Sequence, residues 1–354
     1  MNRKRVIIGV GQCGMKLASE YFNNFQKTSN AILNFSTSVE DSTNVIRSGL
    51  VQVFKDGSGK RYSSGENIWR NNLGLLESSL NSVRDSDIIY FTSAGGGSGS
   101  SSIKFVTDIL LKNRNRVILV LVLPFDYEML PYKPNAIRVL SLLQDEKYYD
   151  KISILLFDND KLSKEYYITE KDEKTFPDIN KINKYIVTTV NIMVDLVDEY
   201  HYVNKYTPFS IDRLEHESVV FSKGFMGIDF IKYENSENNT VKFDYGSLSD
   251  CKNVIVAKVI GLKETDYIVN QNVGKFMDSV KSISKKAKNA RIISGIIRTD
   301  KIENSTYIII GNNLDITKYV ERIKSKVSYR IENFKREDEK ARVLQENEIS
   351  IYDV

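Results

Sequence analysis

The sequence predicts an α/β protein: a doubly wound, mostly parallel sheet in the first half, and an α+β region in the second. Three observations carry this. First, apolar runs recur at Val6–Val10, Asp87–Thr92, Arg116–Leu123 and Lys151–Phe157, with helical patterns between them. Unbroken β-branched and Leu runs suit strands buried on both faces of a parallel sheet, and strand–helix alternation implies βαβ units. Second, two glycine-rich turns each stand between a strand and a helix. Third, from Val219 onward β-formers cluster or alternate, with one clear helix among them.

In order, Val6–Val10 is strand one. Gly9-Val10-Gly11-Gln12-Cys13-Gly14 follows, then a helix from Met15 to Phe25. This is G-x-G-x-x-G in its required strand–turn–helix setting. Ala31–Ser36 and Val51–Phe54 are strands. Lys55-Asp56-Gly57-Ser58-Gly59-Lys60 fails as a Walker A motif, because Phe54 stands where Gly is needed and Arg61 where Ser or Thr is needed. It reads as a polar loop running to a helix over Glu66–Val83, with Trp69 as a core or interface anchor. Ser93–Ser102 is a Gly/Ser loop before a helix from Ile103 to Asn113. Asp178 to about Tyr202 is one long amphipathic helix, with Ile182, Ile186, Val190 and Met193 on its apolar face and Pro208 beyond its end. A short helix opens at Ser210–Glu215. The second half offers strands at Val219–Phe221, Gly227–Tyr233, Thr240–Phe243, Asn253–Ile260, Ala290–Thr299 and Ser305–Ile310. Its one helix is Asn272–Lys288, with a lysine-rich solvated end. From Leu314 a helix continues to about Gln345. Its charged end cannot bury a face, so it extends into solvent or docks on a partner.

The 354 residues suffice for a large core and two domains. The balance of 50 basic against 46 acidic residues, net +4, gives no whole-chain case for direct nucleic-acid or membrane binding. Two cysteines far apart, Cys13 and Cys251, form no disulfide framework and no zinc pattern, which fits a cytoplasmic location. With only His201 and His216, a histidine-based triad or metal site is not expected. No apolar stretch is long enough to span a membrane.

The glycine turns set the chemistry. Glycine lets backbone N–H groups approach phosphate oxygens, and a following helix N-terminus adds positive potential. In a doubly wound sheet the ligand sits at the carboxyl ends of the strands, where the glycine loops, Ser36–Ser38, Pro124–Glu128 and Asn159 would all fall.

Gly95-Gly96-Gly97-Ser98-Gly99-Ser100 resembles the GGGTGTG signature of the tubulin/FtsZ superfamily, with serines where threonines are usual and Ser101 in place of the last glycine. Gly11-Gln12-Cys13-Gly14 is similar to the first phosphate loop of tubulins. Pro124–Glu128 resembles the ribose loop, Asn159 and Asn183 resemble the base-reading asparagines, and Ser210-x-Asp212-x-x-Glu215 resembles the loop that enters a neighbouring subunit's site. The chain is thereby identified as a member of that superfamily, and within it resembles the plasmid- and phage-encoded TubZ group. The resemblance implies a tubulin/FtsZ-like fold. It would have a Rossmann-type GTP-binding domain (1–177), a long central helix (178–206), a second, activation domain (207–313), and an extended C-terminal helix and tail (314–354). It implies GTP or GDP, with Mg²⁺, held by Gly11, Gln12, Cys13, Gly95, Gly96, Gly97, Ser98, Gly99, Ser100, Glu128, Asn159 and Asn183. No protein ligand to the metal is assigned. Asp212 and Glu215 would act in trans on hydrolysis, coupling turnover to a head-to-tail homopolymer. A DNA-binding adaptor protein would dock on the C-terminal tail.

Plainer roles stand beside these. Asp212 could be a helix N-terminal acid, Cys13 a packing residue, Asn159 a cap, Glu128 a surface acid and Arg138 a surface ion-pair residue. A Rossmann oxidoreductase using Gly9–Gly14 for a dinucleotide, and a non-hydrolysing structural filament, are the competing functions.

Overall fold

The structure is a computed structural model. It describes residues 3–25, 31–38, 41, 50–53, 57–128, 132–169, 175–197, 210–232, 241–243, 245–264, 266–300 and 302–328.

The first half alternates as the pattern requires: β1 (Arg5–Val10), α1 (Gly11–Phe25), β2 (Ala31–Ser36), β3 (Leu50–Val53), α2 (Tyr62–Asn71), α3 (Leu73–Leu80), β4 (Asp87–Ser93), α4 (Gly97–Lys112), β5 (Arg116–Leu123), α5 (Tyr132–Leu143), α6 (Glu146–Tyr149), β6 (Ser153–Asp158) and α7 (Asn159–Glu165). A hairpin of β7 (Tyr167–Thr169) and β8 (Thr175–Pro177), which no sequence signal marked, leads into α8 (Ile179–Asp195). Then come α9 (Arg213–Val220), β9 (Gly224–Lys232), β10 (Asn253–Ile260), α10 (Asp266–Lys286), β11 (Arg291–Arg298) and β12 (Thr306–Leu314). Residues 317–328 are again helical.

Ten strands form one sheet in the order β11-β10-β12-β9-β6-β5-β4-β1-β2-β3. Strands β1 to β6 are mutually parallel. β9 joins β6 in parallel, so the sheet runs unbroken through both halves, and β12 is the antiparallel member. Side chains alternate between the faces. Ile8, Tyr90 and Leu119 bury against α2–α5, while Ile7, Phe91 and Val120 bury against α1 and α8. Trp69 is fully buried, as a core anchor should be.

Several boundaries differ from expectation. The long helix expected over Glu66–Val83 starts at Tyr62 and breaks at Asn72, whose side-chain amide donates to the Ile68 carbonyl at 2.8 Å. Helix α4 begins at Gly97, six residues before the expected Ile103. Ser101 and Ser102 donate back to the Gly97 and Gly99 carbonyls at 2.5 and 2.6 Å, so the serine run sits inside the helix as satisfied hydroxyls. Val219–Phe221 is not a strand. Val219 and Val220 end α9, where burial overrides their β-propensity. Residues 241–243 are not in a strand either, and Leu314 still belongs to β12. The ends expected for the central helix near 202 and for the C-terminal helix near 345, and the tail, lie outside the described residues.

Candidate nucleotide site

At the carboxyl edge of the first-half strands an open cleft of about 820 Å³ runs between the two glycine turns, the loop after β5, and the first turns of α7 and α8. Gly11, Gln12, Cys13, Gly95, Gly96, Gly97, Ser98, Gly99, Glu128, Asn159 and Asn183 all line it. Eleven of the twelve expected nucleotide ligands are thus brought together from five segments. The twelfth, Ser100, is turned away: its side chain is fully buried and donates to the Gly96 carbonyl.

The phosphate end is built from two helix N-termini. Gly11 has φ +71, open to glycine, and a Cβ there would press on the Gly99 nitrogen at 3.0 Å. The glycine therefore lets the two turns touch. Helix α4 has Gly96 at its N-cap and no side-chain cap, and its first-turn residues Gly97, Ser98 and Gly99, whose N–H groups have no intrahelical acceptor, line the cleft. Trp69 Nε1 donates to the Ser98 carbonyl at 3.0 Å, fixing that turn from the core side. The Ser98 hydroxyl meets Thr37 Oγ1 and lies 3.4 Å from Ser58 Oγ.

Ser58 belongs to the loop that failed the Walker A test. Its described part, Gly57–Lys60, lines the cleft in its own way. Gly57 N donates to the Thr37 carbonyl at 2.6 Å. Asn135 Nδ2 ties the loop to the glycine turn, donating to the Lys60 carbonyl at 3.0 Å and the Gly95 carbonyl at 2.8 Å. Lys60 Nζ lies 5.3 Å from the Tyr132 ring centre, and its hydrogen bond to Tyr132 raises its pKa. Sequence reasoning also missed Lys16, Asp41 and Tyr127 on the wall. The Gly57-Ser58-Gly59 run after a strand was the available signal for the loop.

At the other end Asn159 opens α7 and Asn183 lies on the second turn of α8. Asn159 Oδ1 is buried and finds no hydrogen-bond partner among the described residues. Asp158, not Asn159, caps α7, which removes the cap role from Asn159. Glu128 is half-buried and accepts from the Phe125 N–H at 2.9 Å, so it is more than a solvated acid. Cys13 sits close enough to feel it: burial, then the Glu128 charge, pushes the thiol up to about 12. Ile179 lines this end, while Tyr127, stacked on Phe125 at 5.0 Å, supplies an aromatic ring on the wall. Arg138 pairs with Glu66 at 3.6 Å and lies over the Tyr62 ring, as a surface ion-pair residue would.

Asp212 and Glu215 are nowhere near this cleft. They lie on α9 at the opposite edge, where the parallel strands begin. Asp212 is the exposed N-cap, accepting from Leu214 N at 2.7 Å and Glu215 N at 3.4 Å. Glu215 pairs with Arg291 at 2.5 Å. The rest of α9 is tied down: Arg116 spans Asp87 (2.6 Å) and Glu217 (2.8 Å), and Arg213 adds a second pair to Glu217 at 3.0 Å.

The fold is of the tubulin type, with an open cleft at the carboxyl edge of its parallel strands. Residues 4–167 match the model of the Tubulin/FtsZ family, GTPase domain. The tubulin-like protein TubZ of Bacillus cereus is 23% identical over 252 residues, 66% of this chain and 56% of the relative. TubZ of Bacillus anthracis matches equally, so the chain spans a little over half the length of these curated relatives. Among solved structures, TubZ of Bacillus thuringiensis serovar israelensis, in a GTPγS-form protofilament, superposes with a TM-score of 0.74 at 14% identity, covering 94% of both chains. CetZ from Methanosaeta thermophila gives 0.67 at 17%, covering 99% of this chain and 98% of that one. An FtsZ dimer of M. jannaschii gives 0.65 at 17%, covering 90% of each.

Proposed function

We propose that the protein is a GTPase that polymerises head to tail and hydrolyses GTP to GDP and phosphate at the junction between subunits. The observation that carries this reading is a separation. The groups suited to hold a nucleotide share one cleft at the carboxyl edge, while the acids suited to act on water lie at the opposite edge. A head-to-tail stack puts one edge against the other, and a heterologous contact that does not close gives a filament.

Hydrolysis needs phosphate charge stabilised and a water aligned behind the γ-phosphorus. Backbone N–H groups of Gly11 and of Gly97–Gly99 would hold the phosphates. Asn159 Oδ1, an acceptor with nothing to accept, matches a donor on a guanine edge, and Asn183 and Glu128 complete the base and ribose end. Asp212 of the next subunit would orient the water, with Glu215 beside it once its pair with Arg291 opens. Among the described residues no three His, Cys, Asp or Glu side chains gather to hold a metal. Mg²⁺ takes phosphate oxygens, waters and one or two protein oxygens, and Gln12 and Asp41 on the wall offer hard oxygens of that kind. Bound there, the ion would neutralise phosphate charge.

By likeness to the TubZ proteins, the filament would be cytoplasmic and move plasmid or phage DNA through an adaptor bound to the C-terminal tail. No helix among the described residues is long and apolar enough to cross a membrane. The family match and the fold favour the guanine-nucleotide reading over a dinucleotide oxidoreductase. Light scattering with parallel phosphate release, using GTP, ATP and a slowly hydrolysed GTP analogue, tests this. Assembly with GTP and turnover per subunit that rises with protein concentration are expected. Turnover flat with concentration removes the in-trans step, and assembly without turnover leaves a structural filament.

A further inference from the structure

The loops at the base and ribose end of the cleft are held from behind, and the C-terminal helix is part of the holder. On the far side of Pro124 and β6, a small cavity of about 40 Å³ is closed by helix 317–328. Lys133 of α5 reaches into it, with its side chain 12% exposed. Its Nζ lies 2.9 Å from Asp126 and 3.4 Å from Asp160, and donates to the Pro124 carbonyl at 3.0 Å. The Asp126 N–H also bonds the Asp160 carboxylate. One ammonium thus closes the loop after β5 onto the first turn of α7.

The C-terminal helix grips both segments. Tyr319, 7% exposed, donates its hydroxyl to Asp158 Oδ2 at 2.6 Å. The other Asp158 oxygen accepts from Asp160 N at 3.0 Å and so caps α7, with Asn159 between them. Lys326, two turns further along, lies 3.1 Å from Asp126, two residues before Glu128. The cluster is tightly organised. Burial, then contact with Asp126, lifts Asp160 to about 6, whereas for Asp126 the bonds to Asp160, Lys133 and Lys326 outweigh burial and hold it far below the usual carboxylate range.

We propose that Tyr319, Lys326 and Lys133 are positioning residues for guanosine: they fix the first turn of α7 that carries Asn159 and the loop that carries Glu128, so recognition of the nucleoside depends on the docking of the C-terminal helix. This rests on the nucleotide reading of the cleft. The buried Tyr319–Asp158 bond matters most, because removing it strips a donor from an 8%-exposed carboxylate that also shapes the turn bearing Asn159. The Lys326–Asp126 pair, with side chains 56% and 38% exposed, is screened and weaker. The coupling is reciprocal: whatever the helix contributes to nucleotide affinity, bound nucleotide returns to helix docking.

The test uses the full chain and a fluorescent GDP, displaced by GDP, by IDP and by inorganic triphosphate. Tyr319→Phe is expected to weaken GDP about fivefold, to narrow the preference for GDP over IDP, and to leave triphosphate competition unchanged. Lys326→Gln should weaken GDP about twofold, and Lys326→Arg should restore it. The proposal is overturned if Tyr319→Phe leaves GDP affinity unchanged, or weakens GDP and triphosphate in parallel as general loosening would. Should Tyr319→Phe fail to fold, the single and double variants Lys326→Gln and Asp126→Asn decide: a double no weaker than the worse single supports the proposal, and additive losses overturn it. A wild-type chain that binds no GDP defeats the nucleotide reading itself and is distinguishable from all of these.

Discussion

The two edges of the sheet are made in opposite ways. At the carboxyl edge the cleft walls carry glycines, hydroxyls and helix N-termini, and Asn159 keeps a buried acceptor without a partner among the described residues. At the amino edge the charges are closed on one another. Arg5 meets Asp195 at 2.5 Å, Arg116 forks onto Asp87 and reaches Glu217, Arg213 adds to Glu217, and Arg291 holds Glu215. Helix α9 lies along that edge, tied to β5 at one point and β11 at another. One edge is prepared to receive a ligand and the other to present a helix at a fixed height. The proposed in-trans reading requires both, because a water held by a neighbour's acid is only as well placed as the helix that carries the acid.

Breaking the presenting edge has the largest expected effect. Asp212→Ala should lower GTP turnover in filaments about 100-fold while GDP affinity of the subunit stays within about twofold, since the cleft is untouched. Asp212→Asn separates catalysis from capping. Asparagine caps a helix as well as aspartate does, so recovery of full turnover in that variant would reduce Asp212 to a cap. Next, Arg116→Ala leaves the buried Asp87 without its partner and should destabilise the chain by roughly 2 kcal/mol in urea denaturation. The same network predicts acid sensitivity. Burial raises the Glu217 pKa, but the bonds from Arg116 and then Arg213 outweigh it and the net shift is downward. Its stabilisation is therefore complete above the ordinary glutamate pKa and is lost as pH falls through the depressed one, and Glu217→Gln should flatten that part of the stability profile. On the receiving edge, Asn159→Ala should weaken GDP about tenfold and IDP less; equal losses would take the base contact away from Asn159. The smallest effect concerns a thiol. With burial pushing the Cys251 thiol up to about 12, it should not react appreciably with iodoacetamide at pH 8, and mass spectrometry after an hour checks this.

The receiving edge was legible because its chemistry is local in sequence. A glycine turn between a strand and a helix announces itself within about ten residues, and Gly11–Cys13, Gly95–Gly99 and Asn159 meet where the strand pattern put them, while Asn183 was marked only by the resemblance. The boundaries were less legible: Ser100–Ser102 read as loop hydroxyls, yet in α4 each is spent on a carbonyl three or four residues back. Gly57–Lys60 was set aside because its spacing fits no phosphate-loop pattern, whereas Asn135 and Thr37, far off in sequence, bring it to the wall. The ion-pair network that holds the presenting edge was invisible for the same reason. Asp87, Arg116 and Glu217 are ordinary charges until the register of β4 on β5 sets Asp87 beside Arg116 and α9 lowers Glu217 onto both. The second half misled at Val219–Val220, where valines in a helix read as a strand because local propensity could not see the burial that decides it.

The unbroken sheet has a mechanical side. Its two halves meet along β6 and β9 in the shortest ladder of the ten strands, Ser153 with Gly224, Ile154 with Phe225 and Leu155 with Met226. Where that ladder stops, a tyrosine hydroxyl stands in for it: Tyr245 accepts from Leu156 N at 2.7 Å and donates to the Met226 carbonyl at 2.6 Å. Tension applied across the chain and carried by the sheet must pass this narrow waist, and parallel strands pulled along their length load their rungs together. Three rungs and one phenol therefore carry the share of that load that passes through the sheet. The Tyr245 ring lies 6.0 Å from that of Tyr319, so the fastening at the waist is a neighbour of the fastening behind the nucleotide loops.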